Sequence, residues 1–278
     1  MNQSACKRIL AIIEILALTQ QGLRLVDICK ELSLPKSIGH RLLSLLIEEG
    51  YVNKSDYNDT YFLSLKIATM GVRYYAGSGF PDLIQPILDK LADKTGELAR
   101  VALCFQNKLI WMGKSQGSKL GLRYEPSPDR ETGNEVILHV TASGKAWLSQ
   151  LPLNIALNLV KTQSYIGGIS FGPKAAKNIT DFKRMLNYAI KIKYGEAIDE
   201  GELGTSALAV PILSTGPNYK YCIGTISVAC PTVRFNKENK KYILSELRIA
   251  SNELEKINVK IFENKNLGTK YLNKNLAA

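Results

Sequence analysis

Histidine is nearly absent from this chain, at two residues in 278, and cysteine is sparse, at five. Cys6, Cys29, Cys104, Cys222 and Cys230 form no Cys-x-x-Cys pair, which excludes the common zinc and thiol-redox spacings. Three of them lie in apolar periodic segments, so reduced, buried thiols are expected and a disulfide framework is not. No run approaches the roughly 18 apolar residues of a membrane span, so no membrane partner is expected. The first residues lead through Cys6, Lys7 and Arg8 into an amphipathic helix without a cleavage pattern, and a cytoplasmic location is the expectation. There is no nucleophile elbow, phosphate loop or cluster of metal ligands. No catalytic residue, metal or cofactor is therefore expected. Asp199, Glu200 and Glu202 do stand close together, but a solvated loop accounts for Glu200 and Glu202.

What is present is concentrated in residues 34–43, Leu-Pro-Lys-Ser-Ile-Gly-His-Arg-Leu-Leu. Pro35 can open a helix, because its missing amide hydrogen would be unpaired there anyway. Ile38, Leu42, Leu45 and Leu46 then recur as one amphipathic stripe. Lys36, Ser37, His40, Arg41 and Ser44 fall on the other side, an arrangement of donors and cations suited to the major groove of DNA. Two helices are expected before it, at 8–20 and 25–32, the second with Val26, Cys29 and Leu32 turned inward. After Gly50, β-prone residues 51–52 and 60–63 flank a polar turn at 53–59. Three helices and a hairpin make a winged helix-turn-helix, with Lys54 of the wing near a phosphate.

The net charge of +11 is less informative than it looks, since residues 1–80 carry only +2 of it. The remaining +9 lies further on, much of it in the last helix and tail. A solvated surface accounts for it, although a positive field also speeds association with DNA. Residues 65–75 space Leu65, Ala68, Val72 and Tyr75 as a linker helix, ended by Gly77-Ser78-Gly79. Such a helix, buried against a twin, would set two reading heads roughly 34–36 Å apart.

The motifs resemble those of the IclR family of bacterial transcriptional regulators. Lys7-Arg8-Ile9-Leu10, Leu34-Pro35-Lys36-Ser37, His40-Arg41-Leu42-Leu43 and Gly50-Tyr51-Val52 are similar to its first domain. Residues 86–96, the Leu138-His139-x-Thr141-Ala142-x-Gly144-Lys145-Ala146 signature, and the stretches 199–211 and 226–231 are similar to its second. The resemblance implies an α+β chain. Its parts are a winged helix-turn-helix at 1–64, a linker helix at 65–79, a GAF-like α/β domain at 80–262 and a polar tail at 263–278. The sheet of the second domain is expected to be mainly antiparallel, with strands at 98–105, 108–112, 120–124, 207–213 and 221–228. Helices are expected at 141–151, from about 180 to 192, and at 236–262.

The resemblance further implies double-stranded operator DNA as partner, a small organic metabolite as effector, and assembly as a homodimer or homotetramer. The operator contacts fall on Pro35, Lys36, Ser37, His40, Arg41, Ser44 and Lys54. The effector residues carried over are Ala142, Ser143, Asp199, Ala207, Ser227 and Ala229. Small residues leave room for a ligand while a carboxylate and hydroxyls fix its polar groups; they equally permit close strand–helix packing. Asp199 is expected to face Ser227 and to select an effector with a hydroxyl, and Arg123 is the nearest candidate cation. Family members often have cysteine at the position of Ala207, serine at that of Ala229 and threonine at that of Ile38, so effector and operator are expected to differ here. Two other readings are a GAF-like metabolic enzyme fused to a DNA-binding domain, and a DNA-binding oligomer without ligand sensing.

Overall fold

Ile12 and Leu16 of α1 (Ala5–Ala17), Ile28 of α2 (Leu25–Glu31) and Leu42, Leu43 and Leu46 of α3 (Lys36–Glu48) bury one another together with Val52 and Tyr61. The computed structural model describes residues 4–19, 21–119, 121–163, 171–215 and 220–262, so the tail at 263–278 lies outside the described residues. These divide into two units, one ending at Gly79 and one beginning at Phe80.

In the first unit Ser33, with φ of 52°, makes the turn between α2 and α3. β1 (Leu23–Arg24), β2 (Val52–Lys54) and β3 (Thr60–Leu63) form an antiparallel sheet in the order β1-β3-β2. The wing hairpin forms close to where the sequence places it, with β2 running over 52–54 rather than 51–52 so that Asn53 and Lys54 pair with β3, while β1 is an additional strand that pairs Leu23 with Tyr61. Three details differ from expectation. α1 begins and ends about a turn earlier than 8–20, and Leu18 is exposed. Val26 is exposed while Ile28 and Cys29 are buried, because Val26 lies a quarter turn from the line through Leu25, Cys29 and Leu32. In α3 the buried stripe is Gly39, Leu42, Leu43 and Leu46, and Leu45 faces outward. α4 (Leu65–Gly77) is capped by Ser64, whose hydroxyl accepts from the Lys66 amide and donates to the Gly50 carbonyl at 2.6 Å. No residue of α4 is buried.

The second unit starts with α5 (Phe80–Thr95), which takes in most of the family-like stretch 86–96, and runs into the hairpin of β4 (Leu98–Phe105) and β5 (Lys108–Gln116). α6 (Ala142–Leu148), α7 (Leu153–Thr162) and α8 (Ile179–Ile192) follow, then β6 (Gly195–Ile198), β7 (Thr205–Thr215), β8 (Lys220–Pro231) and α9 (Lys237–Phe262). The five strands are antiparallel in the order β5-β4-β8-β7-β6. Residues 121–124 are not a strand: Gly121 takes a φ of 80°, and the Tyr124 carbonyl is held by the Gln116 side chain at 3.0 Å. α7 and β6 went unrecognised in the sequence, and β7 and β8 are longer than expected.

Strand alternation gives the sheet two faces. Gly113 lies against Leu88 of α5 and beside Val101 on one face. Arg100, Trp111, Ala197, Ala207, Ser227 and Ala229 share a cavity with Ala142 of α6 on the other. Thr141 caps α6 by accepting from the Gly144 amide at 3.0 Å. The helix sits tightly on the sheet through Ala142, Ala146, Ala197 and Ala209. A β-carbon on Gly195 would strike the Ala142 carbonyl.

Candidate functional site

Two regions carry chemistry, one in each unit. In the first, Lys36, Ser37, His40, Arg41 and Ser44 are all exposed on α3, and Pro35 is exposed just before it. Their spacing puts them along one side of the helix, opposite the core stripe. The first turn contains no acidic residue, and Pro35 offers no side-chain cap. The Ile38 and Gly39 amides bond back to the Pro35 carbonyl. That leaves the Lys36 and Ser37 amides and the positive end of the helix dipole for an anion such as phosphate.

Lys54 is exposed on the wing, and its ammonium pairs with Asp59 at 2.7 Å. That contact raises the lysine above the usual range and holds the Asp59 carboxyl below its own. Tyr57, 99% exposed between them at the tip of the hairpin, was not singled out in the sequence. Its position in a seven-residue polar turn is the only signal it gives.

In the second unit, Ala142, Ser143, Ala207, Ser227 and Ala229 line one cavity of roughly 60 Å³. Asp199 does not join them. Its carboxylate accepts from the Gly204 amide and the Thr232 hydroxyl, each at 2.9 Å, and pairs with Lys174 at 3.1 Å. The Thr232 hydrogen bond leads the contacts that hold it below the usual carboxylate range. It is a loop-fixing residue here, with its own φ at 51°. The expectation that it faces Ser227 is corrected, and with it the argument for a ligand hydroxyl. Arg123 is corrected too: it is exposed and paired with Glu125 at 2.8 Å.

The cations of the cavity are Arg100 and Arg130, neither named from the sequence. Arg100 projects from β4, where its guanidinium lies 3.5 Å from the centre of the Trp111 ring and donates to the Arg130 carbonyl. Burial lowers its pKa to about 10, so it remains charged at neutral pH. Arg130 pairs with Glu202 at 2.8 Å and donates to the Gly201 carbonyl at 3.2 Å. Tyr124 also lines the space, and burial raises its phenol. A cation inside the apolar strand Leu-Ala-Arg-Val-Ala-Leu-Cys-Phe was the available signal, because a buried charge asks for a partner. Nearby, Lys145 and Glu200 are buried and meet at 2.6 Å and 2.7 Å. Burial lowers the Lys145 ammonium and raises the Glu200 carboxyl, and their pairing offsets part of each shift. That pair joins α6 to residue 200 and lies outside the cavity lining. Among the described residues no group of histidine, cysteine, aspartate or glutamate is placed to hold a metal ion. No described helix is long and apolar enough to cross a membrane.

Comparisons with known proteins agree with this arrangement. Residues 5–56 match the IclR helix-turn-helix domain, and residues 78–256 match the bacterial transcriptional regulator IclR C-terminal domain. The probable transcriptional regulator SauR of Cupriavidus necator is 26% identical over 92% of this chain and 97% of its own. A putative IclR transcriptional regulator from a Silicibacter species superposes with a TM-score of 0.74 at 21% identity, over 91% of this chain and 95% of that one. An IclR homologue from Microbacterium hydrocarbonoxydans, solved with 4-hydroxybenzoate, has a TM-score of 0.68 at 17% identity, over 91% and 98%. With both domain types matched in order across most of its length, the chain belongs to the IclR family of bacterial transcriptional regulators.

Proposed function

We propose that this regulator binds operator DNA through α3 and the wing, as a homodimer or homotetramer, and that a small organic molecule in the sheet–α6 cavity sets its affinity. The observation that carries the effector half is a cavity walled by apolar side chains yet containing two buried guanidiniums. A few polar groups set in an apolar enclosure is the usual make-up of a ligand site. The DNA half rests on Lys36, Ser37, His40, Arg41 and Ser44, exposed together on one helix. Assembly rests on α4, where Leu65 is 79% and Val72 67% exposed. Operator DNA places the working protein in the cytoplasm. Membership of a regulator family takes the place of the fused-enzyme reading.

Selection from a randomised duplex library tests this. The expected product is a sequence with two related half-sites, bound less tightly by Arg41→Ala and Lys54→Ala. A library from which nothing is enriched would overturn the DNA reading. An operator affinity that no compound in a metabolite panel alters would overturn the effector reading.

A further inference from the structure

We infer that the junction of α3, the wing and α4 fixes the spacing at which two half-sites are read, with Ser64 and Lys66 as its positioning residues. This rests on the reading that two copies, paired through α4, each place one α3 on DNA.

The end of α3 closes in a left-handed cap. Gly50 takes a φ of 70°, its amide donates to the Ile47 carbonyl at 2.9 Å, and the Tyr51 amide donates to the Leu46 carbonyl at 2.8 Å. Those bonds occupy the Leu46 and Ile47 carbonyls. Three carbonyls beyond them, of Glu49, Gly50 and Tyr51, are each taken by Ser64 or Lys66. The Lys66 ammonium donates to the Glu49 carbonyl at 2.6 Å. The Ser64 hydroxyl donates to the Gly50 carbonyl at 2.6 Å, and the Ser64 amide to the Tyr51 carbonyl at 2.9 Å. The same ammonium lies 4.1 Å from the centre of the Tyr51 ring and stands at the negative end of the α3 dipole. Ser64 in turn caps α4, accepting from the Lys66 amide at 3.2 Å. One side chain thus joins the end of the reading helix to the first turn of the next.

These contacts set direction more than stability. No residue of α4 is buried and Lys66 is exposed, and polar pairs in water add little to folding. What they do is fix the line along which α4 leaves α3. α4 has 13 residues, a length of about 20 Å. Over that lever a swing of about 10° moves the far end by about 3.5 Å, close to the roughly 3.4 Å rise of one base pair. A grip on three successive residues resists that swing, where a single bond would pivot.

Fluorescence anisotropy of the full chain tests this on the selected half-site alone and on duplexes carrying two half-sites. The pair is placed at the selected spacing and at one base pair more or less. Wild type should lose at least tenfold in affinity at either altered spacing. Lys66→Met and Ser64→Ala should bind the single half-site within twofold of wild type, yet lose threefold or less when the spacing changes. Ser64→Thr, which keeps the hydroxyl, should retain the wild-type selection. Circular dichroism melts establish that the variants are folded. Tenfold selection kept in both Lys66→Met and Ser64→Ala, single half-site binding weakened as much as paired binding, or equal relaxation in Ser64→Thr would each overturn the inference. Wild type that binds paired half-sites without regard to spacing overturns it and leaves the DNA reading intact. Wild type that enriches no duplex overturns the DNA reading itself, and this inference with it.

Discussion

Gly39 of α3 packs directly on the sulfur of Cys29 in α2, and a β-carbon at position 39 would fall on that sulfur. Glycine normally costs a helix interior about 1 kcal/mol relative to alanine, so Gly39→Ala looks stabilising by propensity alone. The contact reverses this. Overpacking costs roughly 1–3 kcal/mol, so Gly39→Ala should lower stability or leave it near zero change, and should tilt α3 against α2. Cys29→Ala combined with Gly39→Ala should recover stability and operator affinity. A Gly39→Ala protein that melts higher than wild type with undiminished DNA binding would show that α2 and α3 do not need this approach.

The DNA-facing side chains differ in what their loss should do. Arg41→Ala should cost about 1–3 kcal/mol on the preferred sequence if the guanidinium reads a base edge. Lys54→Ala should weaken all sequences alike and make the salt dependence shallower by about one unit. Because Lys54 is paired with Asp59, Asp59→Asn should act oppositely and strengthen binding to every sequence. Fluorescence anisotropy over a salt series distinguishes the three. Equal affinity in all of them would remove this face from the interface.

These arguments show where sequence was a sufficient guide. The reading helix and wing were legible because local rules set them: Pro35 opens a helix, a polar turn joins two β-prone runs, and apolar residues recur at helical spacing. Thr141 as the cap of α6 was legible for the same reason. The cavity was only half legible. Ala142, Ser143, Ala207, Ser227 and Ala229 line it, but the residues that give it charge come from β4 and from residue 130, far apart in the chain. Asp199 shows the converse difficulty. A buried carboxylate beside glycines suits a ligand site, and only the fold reveals that Gly204, Thr232 and Lys174 already use it. The stripe of α3 was displaced because Leu43 and Leu45 are equally apolar, and only packing on α2 decides between them.

α4 leaves Leu65, Met70, Val72 and Tyr74 exposed, which is the basis for assigning it to a subunit contact. Val72→Asp would place a charge in that contact, which is costly without a partner. Light scattering should report a smaller particle, and footprinting should lose one of two half-sites while the isolated half-site is still bound weakly. Wild-type protein that stays monomeric at every concentration would end the assignment.

His139 should make the stability of the second unit fall in mild acid. It is 2% exposed and meets Phe171 edge-on at 4.9 Å. Burial, with a smaller contribution from the Lys145 charge, lowers its pKa from 6.5 to about 4. The folded protein therefore keeps the imidazole neutral where the unfolded chain protonates it. Well above pH 6.5 the imidazole is neutral in both states and the residue adds no pH dependence. As pH falls toward about 4 the unfolded state gains the proton first, so stability is lost with acidification. The loss should reach about 2 kcal/mol near pH 5 and level off below the folded pKa. Denaturant titrations from about pH 7 to 5 should show it, and His139→Gln, although less stable at neutral pH, should lose most of that slope. A slope unchanged in the variant would assign the acid sensitivity to the carboxylates instead.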